Sequence, residues 1–116
     1  MTDGEFNELL TSALKNVIST VREGVYTGAD ADKYITYNYY VSGIHSANDR
    51  PTAKKWFISV TLWARKGVPV YYEREKLRQV IEEMGGSYPS VMTETDNGWQ
   101  QYVYEFYFVG GIENYG

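Results

Sequence analysis

The chain reads as an α+β protein, a two-layer sandwich in which two helices cover one face of a four-stranded, mostly antiparallel or mixed sheet, in the order α-β-β-α-β-β. Three observations predict it. Two separate stretches repeat apolar residues at three- and four-residue spacing, the period of a helix face. A segment at 55–65 alternates large apolar residues with polar and aromatic ones, the period of a strand. Glycine pairs and an Asp96-Asn97-Gly98 turn signal separate the remaining extended segments.

In chain order, Phe6, Leu9, Leu10, Ala13, Leu14, Val17, Ile18 and Val21 line one side of a helix over roughly residues 4–22. Thr2 and Glu5 have the spacing of a capping box at its start, and Gly24 is a suitable stop. Residues 25–33 show no period and read as a connection. An aromatic strand, YITYNYYV at 34–41, is followed by a polar loop at 43–53, longer than the usual hairpin loop of about 2–5 residues, and then by the strand at 55–65. Trp56, Ile58, Val60, Leu62 and Ala64 share one face of that strand, which must be buried; Phe57, Ser59, Thr61, Trp63 and Arg65 share the other. After Gly67 and Pro69 a second helix runs to about Met84, with Leu77, Val80, Ile81 and Met84 as its apolar stripe. Glu73 with Lys76 and Arg78 with Glu82 support its solvated side. Gly85 and Gly86 end it, a third extended segment covers 87–95, and a fourth strand runs over 99–109, ahead of a short tail at 110–116. The whole of 1–116 is one domain.

Composition excludes several classes of function. A net charge of −4 argues against gripping nucleic acid through its phosphates, which needs a cationic face; Arg50, Lys54 and Lys55 beside the loop and Arg65 and Lys66 after the next strand leave a local patch open but read as solvated strand edges. The absence of cysteine removes disulfide frameworks, thiolate nucleophiles and the common zinc sites. No apolar run approaches the ~20 residues of a membrane-spanning helix, and the first residues lack the pattern of a secretion signal, so a cytoplasmic location is expected. The outlier is the aromatic content, with twelve tyrosines among 116 residues. Tyrosine suits strands in general, but it also supplies stiff amphipathic surface that loses little entropy on contact, a property used at interfaces.

The residues needed for catalysis do not come together. The one histidine, His45, lies near Ser42, Ser46 and Asp49 in the long loop, which lacks the rigid support that a triad requires. The acid pairs Asp30/Asp32 and Glu94/Asp96 do not continue into a calcium-loop spacing. Gly85-Gly86 follows a helix, whereas a phosphate loop precedes one. No enzyme activity, cofactor or metal is expected. An aromatic stacking platform for single-stranded nucleic acid, built on Tyr37, Tyr39, Trp63 and Tyr107, lacks the basic residues such a surface combines with its rings.

Taken together, YITYNYY at 34–40, NDRP at 48–51, TLWA at 61–64, EREKLR at 73–78 and YVYEF at 102–106 resemble the small tail-completion or tail-terminator-like proteins of long-tailed bacteriophages, over roughly residues 6–112. The resemblance implies an α+β subunit of a virion, assembled in the bacterial cytoplasm as a homo-oligomeric ring, commonly of six copies. Such a ring ends the tail tube or joins it to the head connector, and DNA passes its lumen without specific binding. The resemblance carries no short functional motif, so contact residues follow from expected exposure: Ile44, His45, Asn48, Asp49 and Arg50 in the loop, Phe57, Trp63 and Tyr107 on the open sheet face, and Ile112 and Tyr115 in the tail. The competing expectation is a cytoplasmic module that holds a peptide or small ligand on its aromatic sheet face.

Overall fold

Thr2 opens the first helix as its spacing predicts. Its hydroxyl accepts the Glu5 N–H at 3.1 Å, and the Glu5 carboxylate accepts the Thr2 N–H at 3.0 Å, a reciprocal cap that stabilises a helix start by about 1 kcal/mol. The computed structural model describes residues 1–25, 31–47 and 50–111, with side chains for all of these except 44–47, 50–52 and 111. Within it the elements are α1 (Asp3–Lys15), β1 (Val21–Glu23), β2 (Lys33–Ala47), β3 (Arg50–Arg65), α2 (Tyr71–Glu83), β4 (Ser90–Asp96) and β5 (Trp99–Gly111). The class is α+β, with two helices and a five-stranded mixed sheet in the order β1-β2-β3-β5-β4.

The fifth strand corrects the expected four. α1 ends at Lys15, capped by Asn16, and Val21–Glu23 pairs in parallel with Ile35–Tyr37. The helical spacing of Val17, Ile18 and Val21 persists past the helix end because all three still turn toward the same core. A period computed across that boundary cannot separate a helix stripe from a turn and a short strand aimed at one target.

β3 is the centre of the sheet, antiparallel to β2 on one side and to β5 on the other. Its alternation is the expected one: Trp56, Ile58, Val60, Leu62 and Ala64 are all buried. With Tyr102, Tyr104 and Phe106 of β5 they form the floor on which Phe6, Leu10 and Leu14 of α1 and Leu77, Val80 and Ile81 of α2 pack. Trp56 stacks on Phe6 with ring centroids 4.7 Å apart and planes 14° off parallel. Its indole N–H has no hydrogen-bond partner among the described residues. An orphan donor costs about 1–3 kcal/mol, whereas burying an indole of ~200 Å² returns about 5 kcal/mol, so the stack outweighs the loss. Gly110 belongs to the same arrangement, since a Cβ there would stand 3.1 Å from the Trp56 ring.

The 43–53 segment is a second correction. It is not a long loop: β2 continues to Ala47 and β3 starts at Arg50, with Gly43 opposite Lys54 and Ala47 opposite Arg50. Pro51, opposite Ser46, argues against a strand in the sequence, and this ribbon reaches beyond the helix layer, so no apolar alternation announces it. The expected tail at 110–116 is also shorter than expected, because Gly110 and Gly111 belong to β5, opposite Lys54 and Ala53.

α2 ends in a Schellman motif. Gly85, at φ 93°, donates its N–H to Glu82 O, and the Gly86 N–H reaches back to Ile81 O at 2.9 Å. The β4–β5 turn is the Asn97-Gly98 pair, with φ of 47° and 82°, the left-handed combination that matches strand twist in a two-residue hairpin.

One ion pair ties α2 to the sheet. The Lys33 ammonium donates to the Glu73 carboxylate, whose side chain is only 12% exposed. Burial opposes the Glu73 charge, but the hydrogen bond from Lys33, a backbone hydrogen bond and the Lys33 charge together outweigh it and hold the carboxyl below its ordinary range. A carboxylate depressed in the folded state adds stability that is full above the unfolded carboxylate range and is lost as pH falls through the folded value. Glu73→Gln therefore costs about 1–2 kcal/mol at pH 7 by urea unfolding, and the difference from the parent chain shrinks steadily from about pH 5 downward.

Candidate interaction surface

The face of the sheet turned away from the helices carries the even residues of β2 and the odd residues of β3 and β5. Register brings them into rows: Tyr34, Trp63 and Gln101; Thr36, Thr61 and Val103; Asn38, Ser59 and Glu105; Tyr40, Phe57 and Tyr107. No second layer covers these rows among the described residues, so each end solves its own exposure problem differently.

At one end the chain closes over itself. Tyr34 lies parallel to Trp63 with centroids 5.6 Å apart and meets Trp99 edge-on at 5.4 Å, which leaves Tyr34 only 7% exposed. The Trp63 indole N–H donates to Thr36 Oγ1 at 2.9 Å. Arg65 lies 4.7 Å over the Trp99 ring and pairs with Asp32 at 3.1 Å, which holds the lid in place. Trp63, expected as a contact residue, is thus half-buried in its own domain.

At the other end the rings stay open. Phe57 stacks on Tyr40 at 4.8 Å, and the Lys55 ammonium sits 4.1 Å from the Tyr107 ring centre and 5.1 Å from that of Phe57. Tyr40 is 65% and Tyr107 45% exposed. Asn38, Tyr40, Phe57, Ser59, Glu105 and Tyr107 line a shallow groove of about 400 Å³. It offers flat aromatic area, one carboxylate and two neutral polar groups, with the Lys55 cation beside it over the Tyr107 ring, a set suited to binding. Burial first, with nearby acids, pushes the Tyr37 and Tyr39 hydroxyls up, and burial does the same for Tyr104, so each remains a neutral donor. Tyr37 donates to Asn7 Oδ1 at 2.9 Å, and Tyr104 to the Arg74 carbonyl at 3.2 Å.

Of the expected contact residues, Phe57 and Tyr107 meet in the open groove, and Trp63 lies three rows away in the closed cluster. Ile44, His45 and Arg50 fall in the β2–β3 ribbon, where Ile44 lies opposite Ala53 and Arg50 opposite Ala47, and their side chains are not described. Asn48, Asp49, Ile112 and Tyr115 lie outside the described residues. Tyr40 and Lys55 were not among the expected contacts. Both follow from parity once Tyr40 is set opposite Phe57, a register that the sequence does not fix.

Among the described residues no three histidine or acidic side chains gather into a metal site, and no helix is long and apolar enough to cross a membrane. No protein-family model matches the chain, and no curated protein matches it.

The two ends respond differently to charge. Trp63→Glu breaks the Tyr34 stack and strands Thr36, and costs about 3 kcal/mol or more in urea unfolding. Tyr107→Glu, on the open end, changes stability by about 0.5 kcal/mol or less in the same measurement.

Proposed function

We propose that this chain is a structural subunit of a bacteriophage or prophage-derived particle, which assembles as a ring that terminates the tail tube or joins the tail to the head. The observation that carries the reading is the mismatch between the two layers. Each 13-residue helix is about 20 Å long, whereas the 16 residues of β3 extend over about 50 Å, and the molecule measures 54 × 23 × 23 Å. The end of the β2–β3 ribbon beyond Gly43 and Lys54 therefore extends past its own helices, since Lys54 already pairs with Asp3 at the start of α1. A monomer gains little from ordering such a ribbon, whereas a subunit of an assembly uses it to reach a neighbour. The strand and helix motifs that resemble tail-terminator-like proteins agree with this role, as do the open aromatic rows and the acidic net charge, which does not retain DNA in a lumen.

The groove at Tyr40, Phe57 and Tyr107 supports a second reading, a module that holds a peptide or small ligand on the same face. Oligomeric state separates the two. In size-exclusion chromatography with light scattering, a ring subunit shifts from monomer to one closed oligomer as concentration rises toward the millimolar range. A ligand module elutes as a monomer throughout, and that result overturns the ring.

A further inference from the structure

Among the described residues, half of β2 and the whole outer side of β4 have no strand beside them, and the two edges fit one another. The Ile35 N–H bonds to Thr20 O, and Tyr37 O accepts from Gly24, so the odd residues of β2 direct their backbone groups outward. β1 covers that edge only as far as Tyr37, and among the described residues no strand pairs with Tyr39, Val41 and Gly43 on that side. At the opposite edge, the two-residue turn makes Asp96 and Trp99 a hydrogen-bonded pair, which turns the even residues of β4 inward and the backbone groups of Val91, Thr93 and Thr95 outward. All seven β4 residues are exposed, Val91 and Met92 at 45% and 49%.

Natural sheets protect such edges with lysine, proline, bulges or inward-pointing charges. Residues 38–43 (NYYVSG) contain no charge and no proline, and the outward-bonding residues of β4 are one valine and two threonines. Both edges are templates for another strand. Their directions agree as well. β2 and β5 both run antiparallel to β3, and β4 runs antiparallel to β5, so β4 of one copy meets β2 of the next in antiparallel sense without either copy being turned over. The outward residues of both edges carry their side chains on the helix side, as Val91 opposite Tyr104 and Tyr39 beside Phe6 attest. The faces therefore match across the joint.

We infer that β4 of one subunit pairs with the exposed half of β2 in the next copy of the same chain, so that the sheets of successive subunits run on as one. This rests on the ring-subunit reading and specifies its contact. The register that keeps the Asn97-Gly98 turn clear of Gly24 sets Thr95 opposite Val41 and Thr93 opposite Gly43 as hydrogen-bonded pairs, with Glu94 opposite Ser42 between them. No like charges face each other in this segment. The contact is head-to-tail, the kind that closes into a ring when its rotation permits.

The chain has no cysteine, so Ser42→Cys with Glu94→Cys supplies the only thiols. Within one chain β2 and β4 are separated by three strand spacings, about 14 Å, beyond the reach of a disulfide, and any bond that forms joins two chains. The expected result of mild oxidation is a ladder of covalent oligomers on a non-reducing gel from the double variant and none from either single variant. Thr93→Pro, which removes an outward N–H and no bond of the subunit's own ladder, is expected to keep the melting temperature and lose the oligomer in light scattering. A dimer formed by Ser42→Cys alone in equal yield indicates two-fold pairing of β2 with itself and overturns the inference. Oligomers that persist in Thr93→Pro, or that give no cross-link when Ser42→Cys is combined with Met92→Cys, Glu94→Cys or Asp96→Cys, overturn the edge pairing and leave the ring standing. A monomer at every concentration overturns both.

Discussion

The alternation of β3 is the constraint on which the other elements depend. Paired along most of its length with β2 on one side and β5 on the other, it cannot slip by one residue without moving Trp56, Ile58, Val60, Leu62 and Ala64 from the covered face to the open one. Each of these residues is a docking point. Phe6 lays α1 on Trp56, the α2 stripe closes over the same floor, and Gly110 in β5 leaves room for the indole. Burial of aliphatic and aromatic area on this scale, at about 25 cal/mol per Å², is the dominant favourable term in a domain of this size. The Lys33–Glu73 pair adds orientation to an arrangement that packing already favours.

The same strand explains the divided open face. A sheet without a second covering layer has two ways to deal with its aromatic residues, and both occur on this one surface. Tyr34, Trp63 and Trp99 stack together under Arg65, and the Trp63 N–H finds Thr36, so that end needs no partner. Among the described residues Tyr40, Phe57 and Tyr107 have the Lys55 ammonium beside them, and Tyr40 and Tyr107 stay exposed. With three rings at each end, it is the arginine lid over Trp99 that sets the first apart, and apolar surface left exposed as at the second commonly marks a contact site.

How much of this was legible depends on whether the signal was local. The α+β class, the β3 alternation, the Thr2–Glu5 cap, the Gly85-Gly86 stop and the Asn97-Gly98 turn all rest on residues within a few positions of each other, and each was read from spacing alone. β1 was not, because Val21 points at the core from a strand as it would from a helix. The β2–β3 ribbon was not, because a strand with neither face against the helix layer has no apolar alternation to display. The open face was half legible. Parity placed Phe57, Trp63 and Tyr107 on it, but the difference between a closed Trp63 and an open Phe57 comes from Tyr34 and Trp99, which lie 29 and 36 positions away in the chain and arrive only through register.

On the proposed reading, the edges and the open face divide the work of adhesion between two kinds of force. Backbone pairing at an edge is directional, indifferent to side-chain identity and satisfied by a strand of one polarity and register, so it suits contacts among identical copies that must repeat with one geometry. Aromatic rows act through area and tolerate partners of different sequence, so they suit contact with an unlike surface. The two lie at right angles to each other on the sheet. A copy engaged through both edges keeps Tyr40, Phe57 and Tyr107 uncovered, and completing the ring therefore leaves the component that docks on the particle free.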